Sequence, residues 1–178
     1  ENKGTYKDGE RDGLWMWWLY DGNIDNEILY GMGNILYKTV YIYEYWDNGN
    51  KKFVGSEKSG ERHGLWTWWY ENGIKKIEIP FNVGKEDGIL TFWNDKGIKE
   101  GGKLYKYGNL KTQWYYYENG QMSGKDEIND GQKDGLSTYW YENGKVKSES
   151  IWENDTQTGL YISYFDNGNK YQEGIINN

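Results

Sequence analysis

Short runs of alternating hydrophobic and polar residues recur along this chain at a fixed interval. The stretches Gly13–Gly22 (GLWMWWLYDG), Val40–Gly49 (VYIYEYWDNG), Gly64–Gly73 (GLWTWWYENG) and Gly88–Gly97 (GILTFWNDKG) align residue for residue. Lys111–Gly120 (KTQWYYYENG), Gly135–Gly144 (GLSTYWYENG) and Gly159–Gly168 (GLYISYFDNG) continue the series. Their closing glycines fall at 22, 49, 73, 97, 120, 144 and 168. A self-similar period of roughly 24 residues marks a repeat architecture in which each copy is one supersecondary unit. Each run supplies strand formers, such as Leu65-Trp66-Thr67-Trp68-Trp69-Tyr70, and ends at Asn-Gly or a close relative. Asn-Gly tolerates the positive φ angles of tight hairpins. A more polar strand follows, as in Ile74-Lys75-Lys76-Ile77-Glu78-Ile79, and a second glycine turn such as Gly9-Glu-Arg-Asp-Gly13 or Gly60-Glu-Arg-His-Gly64 closes the unit.

One unit therefore reads as one hairpin, and consecutive hairpins pair edge to edge. The prediction is all-β: an elongated, single-layer antiparallel sheet of seven stacked hairpins, about fourteen strands. At ~4.8 Å per strand the sheet is roughly 65–70 Å long. It forms one repeat domain over residues 1–178, with units opening near 13, 40, 64, 88, 111, 135 and 159. Val40 and Lys111 stand where other units open with glycine, and three extra residues precede Val40 near Gly31-Met32-Gly33. Residues 1–8 read as the second half of an eighth unit. The chain stops mid-pattern at Ile175-Ile176-Asn177-Asn178, a pattern open to further units or a cap.

Alternate residues of a strand face opposite sides of a sheet. Counted from the opening glycine, the fifth position is aromatic in every copy: Trp18, Tyr45, Trp69, Trp93, Tyr116, Trp140 and Tyr164. The first position is Leu14, Tyr41, Leu65, Ile89, Thr112, Leu136 and Leu160. This regularity predicts that the odd positions form the ladder holding hairpins together, and that Trp69 matters more for stability than Trp68. The even positions are aromatic but irregular, and a one-layer sheet has no second sheet to cover them. They supply the candidate partner-binding residues: Trp15, Trp17, Trp66, Trp68, Tyr70, Phe92, Tyr115, Tyr117, Tyr139 and Tyr141.

Composition sharpens this picture. There is no alanine, one proline and 25 glycines, with 11 Trp, 18 Tyr and 4 Phe. This is a strand-and-turn vocabulary. The formal charge of −7 disfavours nucleic acid, whose binders carry a basic footprint. It favours a basic protein partner, steered by acidic turn residues such as Asp8, Glu10, Asp12, Glu86 and Asp87. No run of 18 apolar residues predicts a transmembrane helix. With no cysteine, disulfides and thiolate metal sites are excluded. The chain begins with Glu1, which is compatible with a processed surface or secreted chain or with a fragment. His63, the one histidine, reads as a turn residue in the slot held elsewhere by Asp12, Asp87 and Asp134. Acidic residues at hairpin tips recur roughly 10 Å apart instead of converging on a metal. Asn154-Asp155-Thr156 fits a glycosylation sequon. The expectation is a non-catalytic chain without metal or cofactor.

The pattern Asp/Asn-Gly-x-x-Asp-Gly-Leu-Trp-x-x-Tyr-Tyr-Glu-Asn-Gly-x-x-Lys-x-Glu resembles the MORN-variant repeat, found in arrays in bacterial proteins labelled YwqK-type antitoxins. The likeness covers essentially the whole chain. It implies a twisted hairpin array that works through protein contacts, either neutralising a cognate toxin or scaffolding at a surface. Other MORN arrays are linked with membrane association and dimerisation, so the resemblance leaves self-association open. Two further readings compete with an antitoxin-like role: a structural or adhesin-type scaffold that self-assembles, and glycan binding through exposed rings.

Overall fold

The computed structural model describes residues 2–176; Glu1, Asn177 and Asn178, which belong to the open ends of the repeat pattern, lie outside them. Sixteen strands form one open antiparallel sheet in which spatial order follows sequence order. They are β1 Asn2–Lys7, β2 Glu10–Trp18, β3 Ile24–Gly31, β4 Asn34–Tyr45, β5 Lys51–Lys58, β6 Glu61–Trp69, β7 Lys75–Asn82 and β8 Lys85–Glu86. β9 Gly88–Trp93, β10 Lys99–Lys106, β11 Asn109–Tyr116, β12 Met122–Asn129, β13 Gln132–Trp140, β14 Val146–Glu153, β15 Thr156–Tyr164 and β16 Lys170–Ile176 complete it. All seven predicted runs are first strands of hairpins.

Two additions bring the expected fourteen strands to sixteen. Residues 2–7 pair with β2 as the half-unit anticipated. The strand opening the fourth unit is also broken into β8 and β9 opposite Pro80. The Pro80 carbonyl accepts from Asp87 N at 3.0 Å, but proline has no N–H to return across that ladder.

The turns differ from expectation in kind. At the Asn-Gly end each turn spans five residues, held for example by Tyr70 N to Ile74 O at 2.8 Å and Gly73 N to Tyr70 O at 2.9 Å. Asparagine there does not adopt positive φ. Its side chain instead caps the turn, Asn72 Oδ1 accepting from Ile74 N at 3.0 Å, as Asn48, Asn119, Asn143 and Asn167 do in their own units. The tight two-residue turns, with both φ values positive, lie at the other end: Ser59-Gly60 at 54° and 83°, Val83-Gly84 at 49° and 71°. The stretch read as a Gly-x-x-x-Gly turn is thus a turn glycine followed by strand. Gly13, Gly64 and Gly135 sit inside β2, β6 and β13, where the register slips. His63 accordingly lies in β6, its carbonyl accepting from Ser56 Oγ at 2.7 Å.

The assignment of faces is reversed from the sequence reading. The core lies on the even-position face: Trp66 is 3% exposed, Ile79 6% and Phe81 7%, with Ile42, Phe53, Trp68, Ile77 and Leu90 packed around them. The first-position aliphatics are open, Leu65 at 55% and Ile89 at 54%. The core face is hereafter the ring face and the other the stripe face.

Three devices let a single layer bury rings. Mid-strand glycines open hollows beneath them: Trp15 and Trp66 lie so close over Gly4 and Gly55 that a Cβ at either glycine would enter the indole. Guanidinium groups cover them, Arg11 at 4.6 Å from Trp15 and Arg62 at 4.5 Å from Trp66. The rings also stack on one another, Trp66–Trp68 at 5.8 Å and Phe53–Trp66 at 6.0 Å. Gly55→Ala is expected to destabilise by about 1–3 kcal/mol through overpacking, read as a drop in the urea midpoint. An unchanged midpoint would mean the indole is not seated there.

Several units are also stapled to the next, at one or both ends. Tyr70, Tyr117 and Tyr141 hydroxyls donate to the carbonyls of Trp93, Trp140 and Tyr164, 23 residues on, at 3.0, 2.7 and 2.8 Å. Asn48, Asn72, Asn119 and Asn143 amides do the same to Glu71, Asp95, Glu142 and Asp166. At the opposite end, Gly84 N donates to Arg62 O and Gly108 N to Glu86 O. The recurrent Tyr-Glu-Asn-Gly wording is therefore a unit-to-unit fastening.

Candidate binding surfaces

The even-position residues read as partner anchors are mostly engaged within the sheet. Trp15, at 4% exposure, and Trp66 are core residues and are unavailable to a partner. Trp17, Trp68, Tyr70, Phe92, Tyr117, Tyr139 and Tyr141 are half-buried, and Tyr115 is exposed. The hydroxyls of Tyr70, Tyr117 and Tyr141 serve the staples. The structure does bring several of these rings together: Trp15 with Trp17 at 6.1 Å, and Phe92 with Tyr115 at 6.3 Å above Gly101. Beside the core lies a shallow groove of about 300 Å³, floored by Trp68, Ile77, Ile79, Phe81 and Leu90 and rimmed by Arg62, Lys76 and Glu86.

Further along the ring face the core changes character. Ser137 stands at the position of Trp15 and Trp66 and is 1% exposed; Asp126 opposite it is 3% exposed. Asp126 Oδ1 accepts from Ser137 Oγ at 2.7 Å and Tyr139 OH at 2.9 Å, and meets Lys133 Nζ at 3.0 Å. Gln113 Nε2 donates to Oδ2 at 3.3 Å, and Lys133 Nζ donates to Tyr139 OH at 2.7 Å. Burial pushes the Asp126 carboxyl up, but these hydrogen bonds outweigh it and hold the group below its ordinary range. Lys133 occupies the site of Arg11 and Arg62. A charged cluster has replaced a ring under a cation, and the sequence signal was Ser137 in the slot that holds Trp15 and Trp66 in their units.

The stripe face carries the open apolar surface. Leu14, Leu65, Ile89, Leu104, Leu136, Ile151, Leu160 and Ile175 are exposed by 38–70%. Leu104 pairs with Ile89, Ile151 with Leu136 and Ile175 with Leu160, so the stripe crosses the strands. Beside it runs a register-true row: Thr67, Glu78, Thr91, Gly102, Trp114, Lys125, Thr138, Glu149, Ile162 and Glu173. Three carboxylates of this row lie next to the aliphatics, Glu78, Glu149 and Glu173, the first and last paired with Lys75 and Lys170 of their own strands. The proposed steering acids are partly occupied. Asp12 and Asp87 carboxylates accept the backbone N–H of Met32 and Tyr107 in the neighbouring turn, both at 3.4 Å. Asp8 and Glu10 remain exposed beside Lys7 and Met32, and Glu86 is half-buried.

Among the described residues, no three His, Asp or Glu side chains converge as a metal-ligating group, and no helix is long and apolar enough to cross a membrane. A search of the curated proteins finds no match to the chain. The family model described as "MORN repeat variant" matches residues 62–82, 133–154 and 157–178. The matches fall on the hairpins β6–β7, β13–β14 and β15–β16, the last running on to residue 178. MORN repeats commonly mediate protein or membrane binding. Three hairpins of this ribbon are thus similar to the variant MORN repeat.

Proposed function

We propose that the chain is a non-catalytic protein-binding array of antitoxin or immunity type, and that its stripe face receives a basic protein. The observation carrying this reading is the exposed aliphatic stripe on a chain of formal charge −7, with Glu149 beside it. Contiguous exposed apolar surface of several hundred Å² marks an interaction site in soluble proteins, and the acids select the sign of what covers it. The same acids, with a formal charge of −7, oppose an anionic lipid surface. They also oppose face-to-face docking of a second copy, which sets like charges against each other.

The test is capture from native lysate at low and high salt, with wild type and a Leu65→Asp/Ile89→Asp variant as bait. Both positions are exposed, so the variant is expected to keep its circular dichroism. Wild type should retain a basic protein that salt releases, because exposed charges are screened over about 8 Å at physiological ionic strength. The variant should not retain it. An acidic partner, or one indifferent to both salt and substitution, would overturn the reading.

A further inference from the structure

Near its C-terminal end the stripe face dips into a hollow of about 130 Å³ lined by Leu136, Ile151, Leu160, Ile162, Ser150 and Glu149. The topology builds it: Leu136 faces Ile151 across β13–β14, and Glu149 faces Ile162 across β14–β15. The walls are open to solvent, with Leu136 at 40% exposure, Ile151 at 38% and Leu160 at 44%. Two other acids of the same row are neutralised on their own strands, Glu78 by Lys75 at 2.5 Å and Glu173 by Lys170 at 2.6 Å. Among the described residues no lysine or arginine makes an ion pair with Glu149.

An apolar-walled hollow holding an uncompensated carboxylate asks for a ligand with an apolar stem and a cationic head. A lysine side chain has that form: its methylenes pack on aliphatic surface while the ammonium seeks an anion. Arginine matches less well, because its planar guanidinium is larger than a compact ammonium and the hollow is only about 130 Å³. We propose that this hollow is the receptor for one lysine side chain of the basic partner, with Glu149 pairing the ammonium and Leu136, Ile151, Leu160 and Ile162 enclosing the stem. The inference rests on the stripe face being a protein-binding surface and specifies one contact on it. A carboxylate beside apolar walls is screened less than one in open water, so the pair should be stronger than a typical surface ion pair.

The test is methyl-labelled NMR titration of the full chain with a capped valine-lysine-valine peptide and its norleucine- and glutamate-centred counterparts. The lysine peptide should shift the methyls of Leu136, Ile151, Leu160 and Ile162 saturably and leave Leu65 and Ile89 still. The norleucine peptide should bind at least about tenfold more weakly, and the glutamate peptide should not bind. Glu149→Gln, which preserves shape at a solvent-accessible site, should weaken the lysine peptide by a similar factor. Equal binding of the three peptides, an unaffected Glu149→Gln variant, or no shift at millimolar peptide would overturn the proposal. If lysate capture through Leu65 and Ile89 persists in any of those cases, only the lysine site falls and the protein-binding reading stands.

Discussion

Trp66→Ala is expected to lower the unfolding free energy by about 3–5 kcal/mol, in the range for large-to-small aromatic changes in a core. Trp66 touches every device that seals the ring face. Its indole fills the hollow over Gly55, stacks on Phe53 and Trp68, meets the Phe81 ring edge at 6.2 Å and lies under Arg62. Its Nε1 donates to Ser56 O at 3.0 Å, so alanine also leaves that carbonyl without this donor. Leu65→Ala, one residue away on the open face, should cost less than 1 kcal/mol, because little of its surface leaves water on folding. Paired urea melts decide the matter. Equal losses, or a larger loss at Leu65, would show that the two faces are assigned the wrong way round.

The second large effect is at Asp126. Removing one member of a buried ion pair strands the other and typically costs about 3–5 kcal/mol. Asp126→Ala should fall in that range, since it leaves Lys133 partly buried and deprives Ser137 and Tyr139 of their common acceptor. The double variant Asp126→Leu/Lys133→Met should recover part of the loss, because it removes both charges while Ser137 and Tyr139 still lack their acceptor. The pH dependence follows the direction of the carboxyl's shift. Asp126 titrates lower when folded than its ordinary 3.8, so below 3.8 the unfolded chain takes up the proton first. The contribution is complete above that value and fades as pH falls towards the folded one. Thermal melts across the acid range should show wild type losing this increment and the double variant lacking it. A double variant as unstable as Asp126→Ala would mean that shape, not charge, holds this part of the sheet.

The fold was legible because period and alternation carry it. Glycine spacing gave the units, and runs such as Leu65–Tyr70 gave the strands. The faces were not, because regularity was taken as the mark of burial. An aromatic stands at the position of Trp69 in every unit, yet what buries a ring in a single layer is the partner strand. The deciding signals were Gly4, Gly55 and Gly124, which lie mid-strand and were passed over as turn vocabulary, although an isolated strand glycine marks close approach. Arg11 and Arg62 were equally visible and read only as turn charge. Their role depends on two positive-φ residues making the turn one step earlier, which places both arginines in strands on the ring face. The carboxylate row was hidden for another reason: Glu78, Glu149 and Glu173 share a face only once register slips at each hairpin are known.

The staples have a mechanical consequence. Every fastening reaches from one unit to its immediate neighbour and no farther, as in the 23-residue step from Tyr70 to Trp93. The two ends of the described chain lie at opposite edges of the sheet, so tension between them runs along the hydrogen bonds and across the strands. Such a load is never shared. It falls on one ladder at a time, and the sheet yields by peeling, strand after strand, at low force. Traction applied along the strands meets all the rungs of a ladder at once. The ribbon is thus compliant to stretching and stiff to shear.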